Sequence, residues 1–228
     1  MCGRFSMTVD DPYLADVFAI DTFDERTPPA AWQLRPTEPI HVVVESATQP
    51  GRRLTGARWD LARPGQKQLR KPGAPLINVR SETLTEKFTW ATRRRCLVPA
   101  TGYWEWTGPK GAKQPHFIHN DALLAFAAVC SWWKDVSRPE GDAERWVLTT
   151  AILTTAAHAD LASIHERMPV MLPHDAWDTW LNPHTDADPL LIDEMVDAGR
   201  DMAGRVKHHP VRPFSTTAEG PELIEPIT

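Results

Sequence analysis

Cysteine is scarce in this sequence: Cys2, Cys96 and Cys130 are the 3 among 228 residues, and no two of them form a C-x-x-C pair. An odd number without that spacing argues against a disulfide framework and a zinc ribbon, and favours a reducing compartment. The sequence also lacks an apolar run long enough to span a bilayer, and its N-terminus has no basic region followed by an apolar stretch. We therefore expect an intracellular, cytoplasmic protein with no membrane contact.

Cofactor motifs are missing as well. Neither G-x-G-x-x-G nor G-x-x-x-x-G-K-[ST] occurs, so nothing in the sequence supports a nucleotide cofactor. The histidine pairs His116/His119 and His208/His209 could ligate a metal, but no third ligand follows at a recognisable spacing. We expect neither a cofactor nor a metal.

Charge is spread unevenly along the chain. The net charge is −5, yet residues 52–95 hold twelve Lys/Arg and three Asp/Glu, whereas residues 119–228 hold eight Lys/Arg and eighteen Asp/Glu. A basic block in an acidic protein can follow a phosphate backbone, or it can be a solvated loop face. Both interpretations stay open at this point.

Short β-branched and aromatic runs alternate with a few helical segments, without a regular βαβ pattern. This predicts an α+β fold with a curled mixed β-sheet flanked by helices. We predict helices over 10–20, 156–164, 174–181 and 190–198, and strands over 40–45, 54–61, 96–98, 103–106, 117–119, 123–130 and 146–154. The last strand is expected to be central, and 63–75 is a basic loop punctuated by Pro and Gly.

The chain opens with M-C-G-R-F, which places Cys2 and Arg4 at its start. Initiator methionine is usually removed before a small residue, and Cys2 would then carry a thiol and a free α-amine together. An amine can condense with an aldehyde, after which the neighbouring thiol can close a thiazolidine ring. Alternatively the thiol can attack a carbonyl with the amine as its base. Cys2 can also be an ordinary small residue.

Three further polar clusters are embedded in apolar sequence. In I-N-V-R-S-E-T, Asn78, Arg80 and Glu82 alternate, so on a strand they would share one face, with Arg80 suited to a phosphate. In G-Y-W-E-W, the side chain of Glu105 points away from its tryptophan neighbours. If that face is buried, the pKa of the carboxyl group rises towards neutrality, where the group can both take up and release a proton. In I-H-E-R-M-P-V-M-L, His165 titrates near neutrality. Each cluster also fits a purely structural role.

Taken together, in this order and spacing, these motifs resemble the SRAP (SOS response-associated peptidase) family. R-C-L-V-P-A-T-G-Y-W-E-W and W-Q-L-R-P-T, which contains Pro36, add to the resemblance. It extends to about Leu181 and weakens over 182–228, and it predicts one SRAP-like domain over 1–228, with a partly barrel-like sheet.

The resemblance implies a monomer that captures abasic sites in single-stranded DNA as a thiazolidine crosslink on Cys2, with Met1 removed by the protein itself or by an aminopeptidase. Weak lyase chemistry through the Schiff base is also implied. Asn78 would orient Cys2 and the sugar, Glu105 would shuttle protons, and His165 would assist ring opening and reversal. The residues implied to contact DNA are Arg4, Pro36, Trp59, Arg80, Trp106 and Arg167.

Some segments depart from the family pattern. Asp60 replaces an expected Gly, no Trp follows Pro64, the Asn of an Asn-x-x-Pro-Thr segment is absent near Gln33, and V-R-P-F-S-T-T differs from what we expect. The resemblance therefore predicts the residues that react with the abasic site better than it predicts how the DNA strand is bound. Three other functions stay open: an N-terminal-nucleophile amidohydrolase that uses Cys2, a non-covalent single-stranded DNA binder, and a peptidase acting on other proteins.

Overall fold

The computed structural model describes residues 2–69 and 73–227. Within this range eleven strands join one mixed sheet and four α-helices lie around it. The strands are β1 (Phe5–Met7), β2 (Ile20–Phe23), β3 (Ala31–Leu34), β4 (Pro39–Ser46), β5 (Gln49–Trp59), β6 (Asn78–Arg80), β7 (Arg95–Thr107), β8 (Gln114–Lys134), β9 (Trp146–Ala156), β10 (Arg167–Pro169) and β11 (Lys207–Pro210). The helices are α1 (Asp11–Phe18), α2 (Ser81–Lys87), α3 (Trp177–Leu181) and α4 (Pro189–Ala203).

Five of these strands close into a barrel-like ring. The order β8-β9-β5-β4-β7 returns to its start because β7 also pairs with β8, from Arg95↔Val129 to Thr107↔Gln114. Strand β9 contacts β5, β6, β8 and β10, which confirms its predicted central position. The predicted fold class, a curled mixed sheet flanked by helices, is confirmed.

Strand β7 separates two hydrophobic clusters. Tyr103 packs in the main core, whereas the next residue, Trp104, packs in a smaller cluster with Phe117, Val211 and Leu223. Successive side chains on a strand point to opposite faces. The side chain of Glu105 therefore lies on the same face of β7 as that of Tyr103, and on the face opposite to that of Trp104. The predicted opposition of Glu105 and its tryptophan neighbours is confirmed.

Six predicted elements differ from the structure. The two strands predicted over 96–106 are one strand, and so are the two over 117–130. Between them the β7–β8 register shifts from Ala100↔Leu124 to Gly102↔His119, which is a bulge within continuous strands and not a turn. The helix predicted over 156–164 is instead the end of β9 followed by a 3₁₀ helix over Ala159–Ser163. The helix predicted over 174–181 begins as a 3₁₀ turn, and only Trp177–Leu181 is α-helical.

The C-terminal part of the chain lies along the outside of the ring. Strand β11 pairs with β8, and the amide of Val211 donates to the carbonyl of Pro115 at 3.0 Å. This pairing brings Phe214 onto the Trp104 side of β7. No helix among the described residues has the length and apolar character needed to cross a membrane.

Candidate functional site

The start of the chain is attached to β6. Asn78 is the first residue of β6, which runs parallel to β9, with Asn78 opposite Ile152. Its side-chain Nδ2 donates to the carbonyl oxygen of Cys2 at 3.0 Å, across 76 positions of sequence. This hydrogen bond fixes the backbone that carries the thiol.

Cys2 is fully buried. Its Sγ lies 3.9 Å from the carbonyl oxygen of Arg4. Burial raises the pKa of this thiol well above its ordinary value, and the negative charge of Glu105 raises it further. At neutral pH the sulfur therefore carries its proton, and a nearby base is needed to make it a nucleophile.

Glu105 is the buried carboxyl group whose charge acts on this thiol. Only 4% of its surface is exposed. Burial raises the pKa of its carboxyl, which makes the carboxylate a stronger proton acceptor, while the charge of His165 acts in the opposite direction. Tyr103 shares this environment: burial raises its pKa well above the usual value, and the charges of Cys2 and Glu105 add to that effect.

His165 lies in the turn between the 3₁₀ helix and β10. The backbone N–H of Arg167 donates to its Nδ1 at 2.9 Å. Nδ1 also lies 3.2 Å from the carbonyl oxygen of Arg167. The backbone of Arg167 thus holds the ring of His165 in its orientation.

The guanidinium of Arg167 is held by protein groups. It forms a two-pronged ion pair with Glu82 at 2.6 and 2.8 Å, and it donates to the carbonyl of Thr154 at 2.7 Å. This pairing lowers the pKa of Glu82 to about 2. Since Arg167 is committed in this way, the structure does not support it as a phosphate contact.

Glu82 does not lie on a strand face with Asn78 and Arg80, which corrects the alternation argument. Strand β6 ends at Arg80 and α2 begins at Ser81, so Glu82 occupies the first turn of a helix. A carboxylate is favourable there because it faces the positive end of the helix dipole. Arg80 itself is exposed at the strand–helix junction.

Arg4 belongs to an aromatic surface on the other side of β7. Its guanidinium carbon lies 5.0 Å from the ring centre of Trp106 and 5.7 Å from that of Phe214. Burial and the charge of Arg35 lower the pKa of Arg4. The half-buried Pro36 follows directly after Arg35. Stacked guanidinium and indole groups suit phosphate and base contacts.

Trp59 does not belong to this surface, and the expectation that it contacts DNA is wrong for this structure. None of its surface is exposed. Its Nε1 donates to the carbonyl of Ile77 at 2.9 Å, and its ring packs edge-on against Phe5 with centroids 5.1 Å apart. It supports the strand from which Asn78 projects.

Asp60, which departs from the family pattern, has a structural task. Its carboxylate accepts from the backbone N–H of Leu76 at 2.9 Å and lies 3.8 Å from Nε of Arg58. It therefore closes the base of the predicted basic loop 63–75. Residues 70–72 of that loop lie outside the described residues.

Two contributors were missed from sequence. Phe214 and Arg35 lie against Arg4, yet Phe214 is in a segment set aside as atypical, and Arg35 is only one letter of W-Q-L-R-P-T. One sequence feature could have indicated them: Arg35 is a cationic residue and Phe214 an aromatic residue, and each lies next to a proline. No arrangement of three or more His, Cys, Asp or Glu side chains suited to a metal occurs within residues 2–69 and 73–227.

Fold and site together define a class of chain that carries its second residue, a cysteine, inside a small barrel beside a buried carboxyl group. The model of the family "SOS response associated peptidase (SRAP)" matches residues 1–213. The chain belongs to this family.

Relatives and solved structures agree with this assignment. The abasic site processing protein YoqW of Bacillus subtilis is 34% identical over 199 residues, covering 83% of this chain and 84% of its own length. The abasic site processing protein YobE of the same organism is 32% identical and covers 99% of both chains. A crystal structure of a Bacteroides thetaiotaomicron protein superposes with a TM-score of 0.73 at 19% identity, covering 100% of both chains, which supports the fold.

Proposed function

We propose that this protein captures abasic sites in single-stranded DNA as a covalent adduct on Cys2, after loss of Met1. The names of its relatives YoqW and YobE, abasic site processing proteins, support this lesion as the substrate. Met1 lies outside the described residues, and its removal is part of the proposal. The protein would act as a cytoplasmic monomer that associates with the nucleoid through DNA.

The observation that carries the proposal is the grouping around Cys2. The side chain of Asn78 donates to the carbonyl oxygen of Cys2. The charge of Glu105 raises the pKa of the Cys2 thiol, and the charge of His165 lowers the pKa of Glu105. The ring-opened deoxyribose of an abasic site carries an aldehyde. A 1,2-aminothiol is the group that converts an aldehyde into a stable ring.

Two steps follow. The Cys2 amine adds to the aldehyde carbon and water leaves, which forms an imine. The Cys2 sulfur then adds to the imine carbon, and its proton moves to the imine nitrogen to complete a thiazolidine. Glu105 would relay that proton, and His165 would protonate the sugar ring oxygen as the ring opens. Arg4, Arg80 and Trp106 would bind the strand.

Intact mass of the purified protein, before and after incubation with an abasic single-stranded oligonucleotide, tests the proposal. We expect a chain without Met1 and one stable adduct on the N-terminal peptide. Cys2→Ser keeps the amine without the thiol, so it should give only an imine that must be trapped with borohydride. Cys130→Ala removes a different thiol and should react as the wild type does.

The other open functions give different results. A non-covalent binder would form no adduct, and salt would reverse its binding to single-stranded DNA in the wild type and in Cys2→Ala alike. An amidohydrolase would release ammonia from glutamine. Either result, with Met1 absent from the chain, would overturn the proposal.

A further inference from the structure

A second positively charged groove lies at the end of the barrel opposite Cys2. It encloses about 730 Å³ between the β4–β5 turn, the residues that precede β7 and the far ends of β8 and β9. We call it the arginine groove and define it by Arg26, Arg53, Arg93, Arg94 and Trp132. About ten residues of β7 separate Glu105 from Arg95, so the groove is on the order of 30 Å from the Cys2 site.

The carboxylates at this groove are already paired. Asp24 binds Arg26 at 2.6 Å, and Asp186 binds Arg93 at 2.8 Å. The other carboxylate of the lining, Glu45, accepts from Arg52 at 3.0 Å.

The positive charge that remains comes from the other arginines. Arg53 donates to the neutral amide of Gln49, and no carboxylate within the described residues pairs with the exposed Arg94. Arg95, buried behind them, donates mainly to carbonyl oxygens, among them that of Thr185 at 2.8 Å. The groove therefore has an excess of positive charge that favours a polyanion.

Two tryptophans with cations beside them extend from this groove. Of the ten tryptophans in the sequence, Trp132 and Trp146 are the exposed ones, at 43% and 46%. The guanidinium of Arg26 lies 5.1 Å from the ring centre of Trp132, and Nζ of Lys134 lies 5.6 Å from that of Trp146.

The register of β8 and β9 makes the two rings neighbours. It sets Trp132 opposite Leu148 and Lys134 opposite Trp146. Trp132 and Trp146 are therefore diagonal neighbours on one face of the sheet, with their Cα atoms about 7–8 Å apart. Exposed aromatic rings at this spacing, with Arg53 and Arg94 in the same groove, suit successive bases and phosphates of one strand.

We propose that the arginine groove is a second binding site for single-stranded nucleic acid, which holds a strand through phosphate contacts to Arg53 and Arg94 and base stacking on Trp132 and Trp146. It accounts for part of the basic block over 52–95 that the Cys2 site does not use. The binding requires neither Cys2 nor an abasic site, so it stands apart from the capture reaction.

Fluorescence anisotropy with an intact labelled oligonucleotide of about 20 nucleotides, over a series of salt concentrations, tests the site. Arg94→Glu should weaken binding about tenfold and reduce the salt slope by about one. Trp132→Ala should weaken binding about tenfold with an unchanged slope. Arg205→Glu, the same charge change on an exposed arginine after α4, should leave the strand bound as in the wild type.

The capture reaction is measured separately, as adduct formation with an oligonucleotide of about 5 nucleotides that carries the abasic site at its centre, because its two-nucleotide arms are too short to reach the arginine groove. The groove variants should form this adduct at the wild-type rate. Wild-type affinity for the long strand in both Arg94→Glu and Trp132→Ala, or an equal loss in Arg205→Glu, would overturn the groove proposal. If no adduct forms, but Arg94→Glu and Trp132→Ala still weaken binding of the long strand, only the capture proposal is overturned.

Discussion

The side-chain amide of Asn78 donates a hydrogen bond to the carbonyl oxygen of Cys2 at 3.0 Å. This single contact attaches the start of the chain to the central strand β9, because β6 pairs with β9 at Ile152. Cys2 therefore has a rigid support although it is the second residue of the sequence.

Removal of this donor should impair capture more than folding. Asn78→Ala loses one hydrogen bond, worth about 1 kcal/mol, and leaves the Cys2 backbone free to move. We expect slower adduct formation with an abasic oligonucleotide and a small loss of stability. The matched control is Asn120→Ala, an asparagine outside the site. An unchanged adduct rate in Asn78→Ala would remove Asn78 from the positioning role.

The buried carboxyl of Glu105 should cost the protein stability at neutral pH. Its pKa is raised by burial, so the folded state holds the proton to higher pH than the unfolded state does. Stability from this group is fully present below its unfolded pKa and is lost as pH rises through the raised folded pKa.

Glu105→Gln should therefore unfold at a higher temperature than the wild type at pH 7, and the difference should vanish at acidic pH. The same variant should form the adduct more slowly and lose the rising limb of the pH–rate profile. Equal melting temperatures at pH 7 together with an unchanged pH profile would contradict both roles. Glu219→Gln, on the exterior, serves as the control.

Sequence reasoning predicted the residues that the fold brings together around Cys2 better than it predicted the surface residues. Cys2, Asn78, Glu105 and His165 occur in short motifs, and strand alternation alone placed Glu105 opposite Trp104 correctly. Alternation failed at Glu82, because nothing in S-E-T signals that a three-residue strand turns into a helix there. The prediction for Trp59 was wrong because the sequence does not distinguish a tryptophan that fills a core from one that stacks on a base. Whether a tryptophan is buried depends on how the strands close into the barrel-like ring.

The ion pair between Arg167 and Glu82 should position His165. Arg167→Lys keeps the charge but loses the two-pronged geometry, and Glu82→Gln loses the carboxylate. We expect both variants to slow adduct formation several-fold, with similar binding of intact single strands. A variant that binds intact strands more weakly, with a shallower salt slope, would show that Arg167 contacts phosphate after all.

The same pair predicts acid sensitivity. Pairing lowers the pKa of Glu82 from 4.5 to about 2, so its stabilisation is present above the unfolded pKa and is lost as pH falls through the range between these values. Urea unfolding midpoints measured from pH 6 to about pH 2 check this. Glu82→Gln should flatten the decline in that range, whereas an exposed control, Glu194→Gln, should follow the wild type.

A fully buried tryptophan, Trp59, and a partly buried one, Trp106, distinguish packing from DNA contact. Trp59→Phe removes one of the two hydrogen bonds that the Ile77 carbonyl accepts, the other coming from the backbone N–H of Ile152, and it also loses buried ring area. It should lower the free energy of unfolding by about 1–3 kcal/mol, with unchanged affinity for a single strand. Trp106→Ala loses only partly buried packing against the small cluster and Phe214, so we expect a moderate loss of stability. It should weaken strand binding about tenfold, because Arg4 loses the ring over which it lies. Denaturant unfolding and fluorescence anisotropy, measured on both variants, separate the two effects. If Trp59→Phe weakens binding while its stability is unchanged, the indole reaches DNA in solution and its burial in the core is not maintained there.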